Sequence, residues 1–146
     1  MQRRVKIMLF FSAFIIFTGL ACEKTEGEGS GGVSPSSSDP RIIEGFTCAD
    51  MNNNAPLGID NQFFVDEVIY LWIQWENVQG SHTMRVLWVD PDNDIIEKEQ
   101  AFTSESGFYT IYFWIDTSPS APTGQWLAEV YLDGNLIRSY TFWLNA

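Results

Sequence analysis

From Arg41 to Ala146 the chain is a succession of short apolar runs, rich in aromatic and β-branched residues, cut apart by clusters of Gly, Pro, Asn and Asp. That punctuation constrains the fold more than any other feature of the sequence. No run sustains an apolar period of 3.6 residues long enough for a helix, so the side chains must be buried from strands. The expected strands are residues 42–48, 63–76, 82–90, 95–102, 108–115, 125–132 and 136–144. Residues 49–62, ADMNNNAPLGIDNQ, read as a long polar loop with turn chemistry at Asn52-Asn53-Asn54 and Pro56.

The pattern inside the runs says how they pack. Met84, Val86 and Trp88 fall on one face of their strand, and Trp126, Ala128, Val130 and Leu132 on one face of theirs. Residues 63–76 are apolar on both parities through 68–73, as in a strand covered on both sides or bent between two sheets. Glu97, Lys98 and Glu99 stand consecutively in mid-strand, a pattern of edges guarded against foreign pairing. Asp90-Pro91-Asp92-Asn93 reads as a turn, and Asp133-Gly134-Asn135 closes a final hairpin whose cross-strand pairs stay open. About seven strands without a helix, in a segment long enough for a real core, predict one immunoglobulin-like antiparallel β-sandwich over residues 41–146.

Four stretches of this segment also resemble bacterial Ig-like and macroglobulin-type (MG2-like) sandwich modules. They are VLWVDPDNDII at residues 86–96, Ser106-Gly107-Phe108-Tyr109, Gly124-Gln125-Trp126 leading into Glu129-Val130, and the closing Phe142-Trp143-Leu144. Asn93 replaces the Gly that often follows the Asp-Pro turn in such modules, and Asn tolerates the same left-handed backbone. The resemblance implies the fold; modules of this kind serve many functions.

Ahead of the sandwich lie two segments of different character. Residues 1–21 place Arg3, Arg4 and Lys6 before an apolar run over residues 7–17, too short to span a bilayer and patterned as a secretory signal peptide. The run ends in Gly19-Leu20-Ala21-Cys22, which resembles the lipobox of bacterial lipoproteins, with Gly19 where that family usually has Leu. The resemblance implies cleavage before Cys22, lipidation of its thiol and a lipid anchor in the bacterial cell envelope, at the outer membrane or cell surface. If Cys22 stays a plain thiol, a disulfide to Cys48 becomes open in an oxidising compartment. Residues 22–40 then form a Gly-, Ser- and Pro-rich tether with almost nothing apolar except Val33, expected to hold the domain roughly 25 Å from its anchor and at most about 60 Å.

Charge narrows the partners. The whole chain carries 8 basic and 19 acidic residues, a net of −11, and removal of residues 1–21 would leave −14. A surface of that sign repels phosphates, so nucleic acid is excluded as a partner and membrane affinity falls to the lipid.

Few residues offer chemistry. Asp90, Asp92 and Asp94 have the spacing that opens a calcium loop, but Ile95 and Ala101 stand where an EF-hand needs Gly and Glu. A calcium site of another kind stays open beside the reading as a plain turn, and no other cofactor is expected. His82 is the one histidine, its chain neighbour Ser81 points to the opposite side of a strand, and no nucleophile motif is present, so the chain is not expected to be an enzyme. Glu97 and Glu99 share a face but lie on a charged edge without the apolar pocket a catalytic acid needs. Eighteen aromatics fall in residues 41–146. With aromatics on both faces of two strands, Trp72, Trp75, Tyr109, Phe113, Tyr131 and Trp143 are candidates for an exposed contact row, against the alternative of an aromatic-heavy core.

The expected function is therefore a membrane-anchored envelope lipoprotein whose acidic domain is a non-enzymatic interaction or accessory module for an envelope protein. The alternative is a carbohydrate-binding module using the same aromatics, with or without calcium.

Overall fold

The computed structural model describes residues 38–146; the segment read as a signal peptide, Cys22 and most of the segment read as a tether lie outside the described residues. Nine strands follow in order: β1 (Arg41–Asn52), β2 (Ala55–Ile59), β3 (Gln62–Phe64), β4 (Val68–Glu76), β5 (Gly80–Val89), β6 (Ile95–Ser104), β7 (Tyr109–Asp116), β8 (Gly124–Leu132) and β9 (Asn135–Asn145). Among the described residues there is no helix. One sheet has the order β2-β1-β4-β7 and the other β3-β9-β8-β5-β6. Every pairing is antiparallel except the short parallel match of β3 to the end of β9.

Alternation in the sequence becomes the core. Ile69, Leu71, Ile73 and Trp75 of β4 face inward, as do Met84, Val86 and Trp88 of β5 and Trp126, Ala128, Val130 and Leu132 of β8, all in one buried cluster. Full burial of each Val, Leu, Ile or Met side chain among them is worth about 1.5–3 kcal/mol, which makes this layer the main source of stability. Phe142 of β9 ties together the inner face of the five-stranded sheet, its ring meeting Phe63 of β3, Trp88 of β5 and Trp126 of β8. The indole N–H groups of Trp75 and Trp88 lie in this layer without an acceptor among the described residues, so both tryptophans are held by ring burial alone.

Two expectations are corrected. The segment read as a loop forms the end of β1 and all of β2, joined at Asn53 and Asn54, whose positive φ values of 48° and 64° make the tight connection. The run 63–76 is two strands in different sheets, not one strand. It breaks at Asp66, where φ is 69°, and the crossing is tied by Thr117, whose N–H and hydroxyl both donate to the Glu67 carbonyl at 3.0 and 2.8 Å. The residues apolar on both parities, 68–73, all lie within β4, where Ile69, Leu71 and Ile73 face the core and the outward Trp72 is buried as well.

The Asp-Pro turn is built by Asp90. Its Oδ1 accepts from the amides of Asp92 at 2.9 Å and Asp94 at 2.8 Å, while Asn93 takes the left-handed conformation at φ 69°. β6 is an edge, and Glu97, Lys98 and Glu99 are all exposed along it.

Candidate binding surface

β7 sorts its residues by parity. Ile111, Phe113 and Ile115 face the core, while Thr110, Tyr112, Trp114 and Asp116 face away from it. Register with β4 sets Tyr112 opposite Trp72 and Trp114 opposite Tyr70. The outer face of the four-stranded sheet therefore carries a row of rings. Tyr70 and Tyr112 meet edge to face at 6.1 Å, and Tyr112 and Trp114 lie at 6.1 Å with planes tilted by 41°. Tyr70 and Tyr112 are partly exposed and Trp114 is 47% exposed.

The β1–β2 hairpin closes one side of this face. Trp72 points outward yet is buried, because its ring stacks on Phe46 at 6.0 Å and its Nε1 donates to the Asn54 carbonyl at 2.8 Å. Two shallow clefts result. One of about 280 Å³ is lined by Met51, Tyr70, Tyr112 and Trp114. The other, of about 210 Å³, adds Asn54 and Gln100 to the β7 residues, including Thr110. Neither is lined by a charged side chain.

The six aromatics singled out from the sequence do not form one row. Trp75 and Phe113 belong to the core and Trp72 lies beneath the hairpin, so none of the three can present a contact surface. Tyr109 stacks on Phe102 at 4.1 Å against the core. Tyr131 is on the other sheet, where Arg85 lies over its ring at 4.8 Å and its hydroxyl donates to Glu129 at 2.9 Å. That bond, with burial second, pushes the Tyr131 phenol above its ordinary range. Trp143 is 44% exposed but also on the other sheet, apart from the row. Sequence reasoning missed Tyr70, Tyr112 and Trp114. The available signal was the polar pair Thr110 and Asp116, which marks their parity as the wet face of β7.

His82 lies beside a larger cleft of about 480 Å³ with Ser81, Thr103 and Asp133. Its Nδ1 meets Asp133 Oδ2 at 2.7 Å and its Nε2 faces the Gln79 carbonyl at 3.4 Å, whereas the Ser81 hydroxyl pairs with Thr103 at 3.0 Å. The imidazole is thus turned away from both hydroxyls. Asp133 also accepts from the Thr83 amide at 2.9 Å, so the group fastens the β8–β9 hairpin to β5. Hydrogen bonding from His82 first and Thr83 second holds the Asp133 carboxyl below the usual carboxylate range.

Among the described residues no cluster of three or more His, Cys, Asp or Glu side chains could hold a metal. One carboxylate oxygen of Asp90 serves turn amides, while Asp92 and Asp94 are exposed. Cys48 is a buried free thiol, 3.8 Å from Met51 Sδ, and burial raises its pKa.

No protein-family model and no curated protein matches this chain. Solved structures do. An immunoglobulin-like protein from Pseudomonas aeruginosa is similar with a TM-score of 0.50 at 13% identity, over 75% of this chain and 99% of that one. The fold of the described residues is an immunoglobulin-like β-sandwich. The alkylpurine DNA glycosylase AlkC of Pseudomonas fluorescens, bound to DNA containing an abasic site analog, is similar with a TM-score of 0.55 at 15% identity, over 73% of this chain and 30% of that one. A β-glucosidase from Listeria innocua, in complex with gluconolactone, is similar with a TM-score of 0.50 at 9% identity, over 70% of this chain and 16% of that one. The sandwich thus spans under a third of either enzyme, and at these identities the likeness is one of fold alone.

Proposed function

We propose that the chain is an exported lipoprotein of the bacterial cell envelope, anchored through Cys22, whose immunoglobulin-like domain is a non-enzymatic interaction module. The apolar run ending in Gly19-Leu20-Ala21-Cys22 supports the anchor, and the polar segment after it supports a tether. The observation that carries the interaction role is the row Tyr70, Tyr112 and Trp114, held by strand register with its outermost ring half open to solvent. A rigid sheet presents such rings at little entropic cost to a partner, and aromatic side chains dominate contact energies.

The test is a photocrosslinking residue in place of Thr110 in the full, lipidated chain within intact cells. An adduct to an envelope component is expected, and it should disappear in a Trp114→Ala background while a Trp143→Ala background retains it. Absence of any adduct, or one indifferent to Trp114, would remove this face from the function.

A further inference from the structure

Resting on that reading, we infer that the aromatic face binds a neutral glycan, with sugar rings lying on Tyr112 and Trp114 and their hydroxyls meeting the side chains of Asn54, Gln100 and Thr110.

Charge selects the ligand class first. Residues 38–146 carry four Lys and Arg side chains, Arg41, Arg85, Lys98 and Arg138, against sixteen carboxylates. On so acidic a surface an anionic polymer is repelled. A cationic ligand would gain most from carboxylates at the point of contact, and neither cleft is lined by one. An uncharged, strongly hydrogen-bonding ligand fits what is left.

The rim then specifies its chemistry. Asn54 arrives from the β1–β2 hairpin, Gln100 from β6 and Thr110 from β7, three separate elements converging on one cleft beside Tyr112 and Trp114. Among the described residues none of these three side chains hydrogen-bonds to another protein group. Each amide offers an acceptor and two donors, and a threonine hydroxyl offers both roles. Sugar hydroxyls demand that same mixture. The C–H faces of a pyranose carry partial positive charge and stack on the negative face of an aromatic ring.

Size argues against a folded protein on the row alone. Rings that bury ~150–250 Å² each when fully covered offer at most roughly 300 Å² here, with Trp114 47% exposed and Tyr70 and Tyr112 less so, whereas a stable protein interface needs ~800 Å² per partner. The clefts are shallow and contain no enclosed apolar pocket for a hot-spot side chain. A short run of sugar residues matches the strip.

The experiment uses the full lipidated chain in a polyoxyethylene detergent, which carries no sugar, and follows tryptophan emission and heat on titration with cellohexaose, chitohexaose and maltohexaose. An anionic oligogalacturonide serves as the charge control. At least one neutral hexasaccharide should bind and shift the emission, with affinity falling about tenfold or more in Trp114→Ala and several-fold in Gln100→Ala, and unchanged in Trp143→Ala. The oligogalacturonide should not bind. Circular dichroism and melting curves of each variant separate lost binding from lost folding. If no neutral hexasaccharide binds, or binding ignores both Trp114 and Gln100, the glycan assignment is overturned. A Trp114-dependent crosslink from position 110 to an envelope protein would then leave the contact face standing with a protein partner. Loss of that crosslink as well would overturn the contact face too.

Discussion

At the scale of single residues, the hairpin clamp made by Asp133 gives the domain a predictable response to acid. The Asp133 carboxylate takes hydrogen bonds from His82 and from the Thr83 amide, and both hold its pKa down. A carboxyl with a lowered folded value adds stability that is fully present above its unfolded value, about 4, and is lost as pH falls through the folded value. The side chain is 48% exposed, so water and salt keep the increment below about 1 kcal/mol. Asp133→Asn should therefore lower stability slightly at pH 7 and flatten the acid limb of a denaturant-midpoint profile. A variant whose limb is as steep as that of the parent would show that another carboxylate controls it. Gly45 makes a second residue-scale case, because a Cβ there would overlap the Tyr140 hydroxyl where β1 passes β9. Gly45→Ala should cost about 1–3 kcal/mol of unfolding free energy by overpacking. Adding Tyr140→Phe, which removes the overlapping oxygen, should recover part of that loss. Full stability in Gly45→Ala alone would mean that β1 and β9 can move apart at no cost.

Among the elements, β6 shows how an edge is kept single. Its open side carries Glu97, Lys98 and Glu99, and Arg85 of β5 reaches Glu97 at 3.7 Å. Replacing the three charges with Thr should leave the fold intact, since all three are exposed, but make the domain self-associate at high concentration. Sedimentation velocity would report the change; a variant that stays monomeric would assign the protection to strand twist or neighbouring loops. That guard was legible from three consecutive charges in an apolar run, as were the inward faces of β5 and β8 from strict alternation. What the sequence could not disclose came from tertiary cover. Trp72 shares parity with exposed groups and is buried only because a hairpin from the residues read as loop folds across it. Tyr112 and Trp114 share a strand with Ile111 and Phe113, so large apolar side chains stand on both parities and only Thr110 and Asp116 mark the wet one. Pairing to β4 then brings Tyr70 beside that wet face, which the sequence of β7 alone does not disclose. Of the six aromatics read as candidates, Trp72, Trp75 and Phe113 are buried, Tyr109 packs against the core, and Tyr131 and Trp143 lie on the other sheet.

For the whole molecule, the proposed anchor sets two distance scales against each other, that of charge and that of a tether. The carboxylate excess of the sandwich acts over a Debye length of about 8 Å at physiological salt, while a flexible tether over residues 22–40, as proposed, would allow a typical separation of roughly 25 Å. On the proposed reading the repulsion is felt only when the domain touches an anionic surface, so it keeps the aromatic face free without straining the anchor. A single acyl chain holds a protein only marginally, and a multiply acylated Cys22, as proposed, would hold it stably. All membrane affinity should then reside in that one residue. Cys22→Ser should move the protein from the membrane pellet to the soluble fraction, and the unlipidated protein should show no binding to vesicles rich in phosphatidylserine, even at low ionic strength where attraction would be strongest. Retention of the Cys22→Ser protein in the pellet would place a second membrane contact elsewhere in the chain. Binding to anionic vesicles would contradict the expectation drawn from four cationic side chains against sixteen carboxylates in residues 38–146. Either result would shift the site of membrane recognition from the lipid to the protein, and with it the orientation in which the aromatic row meets its ligand.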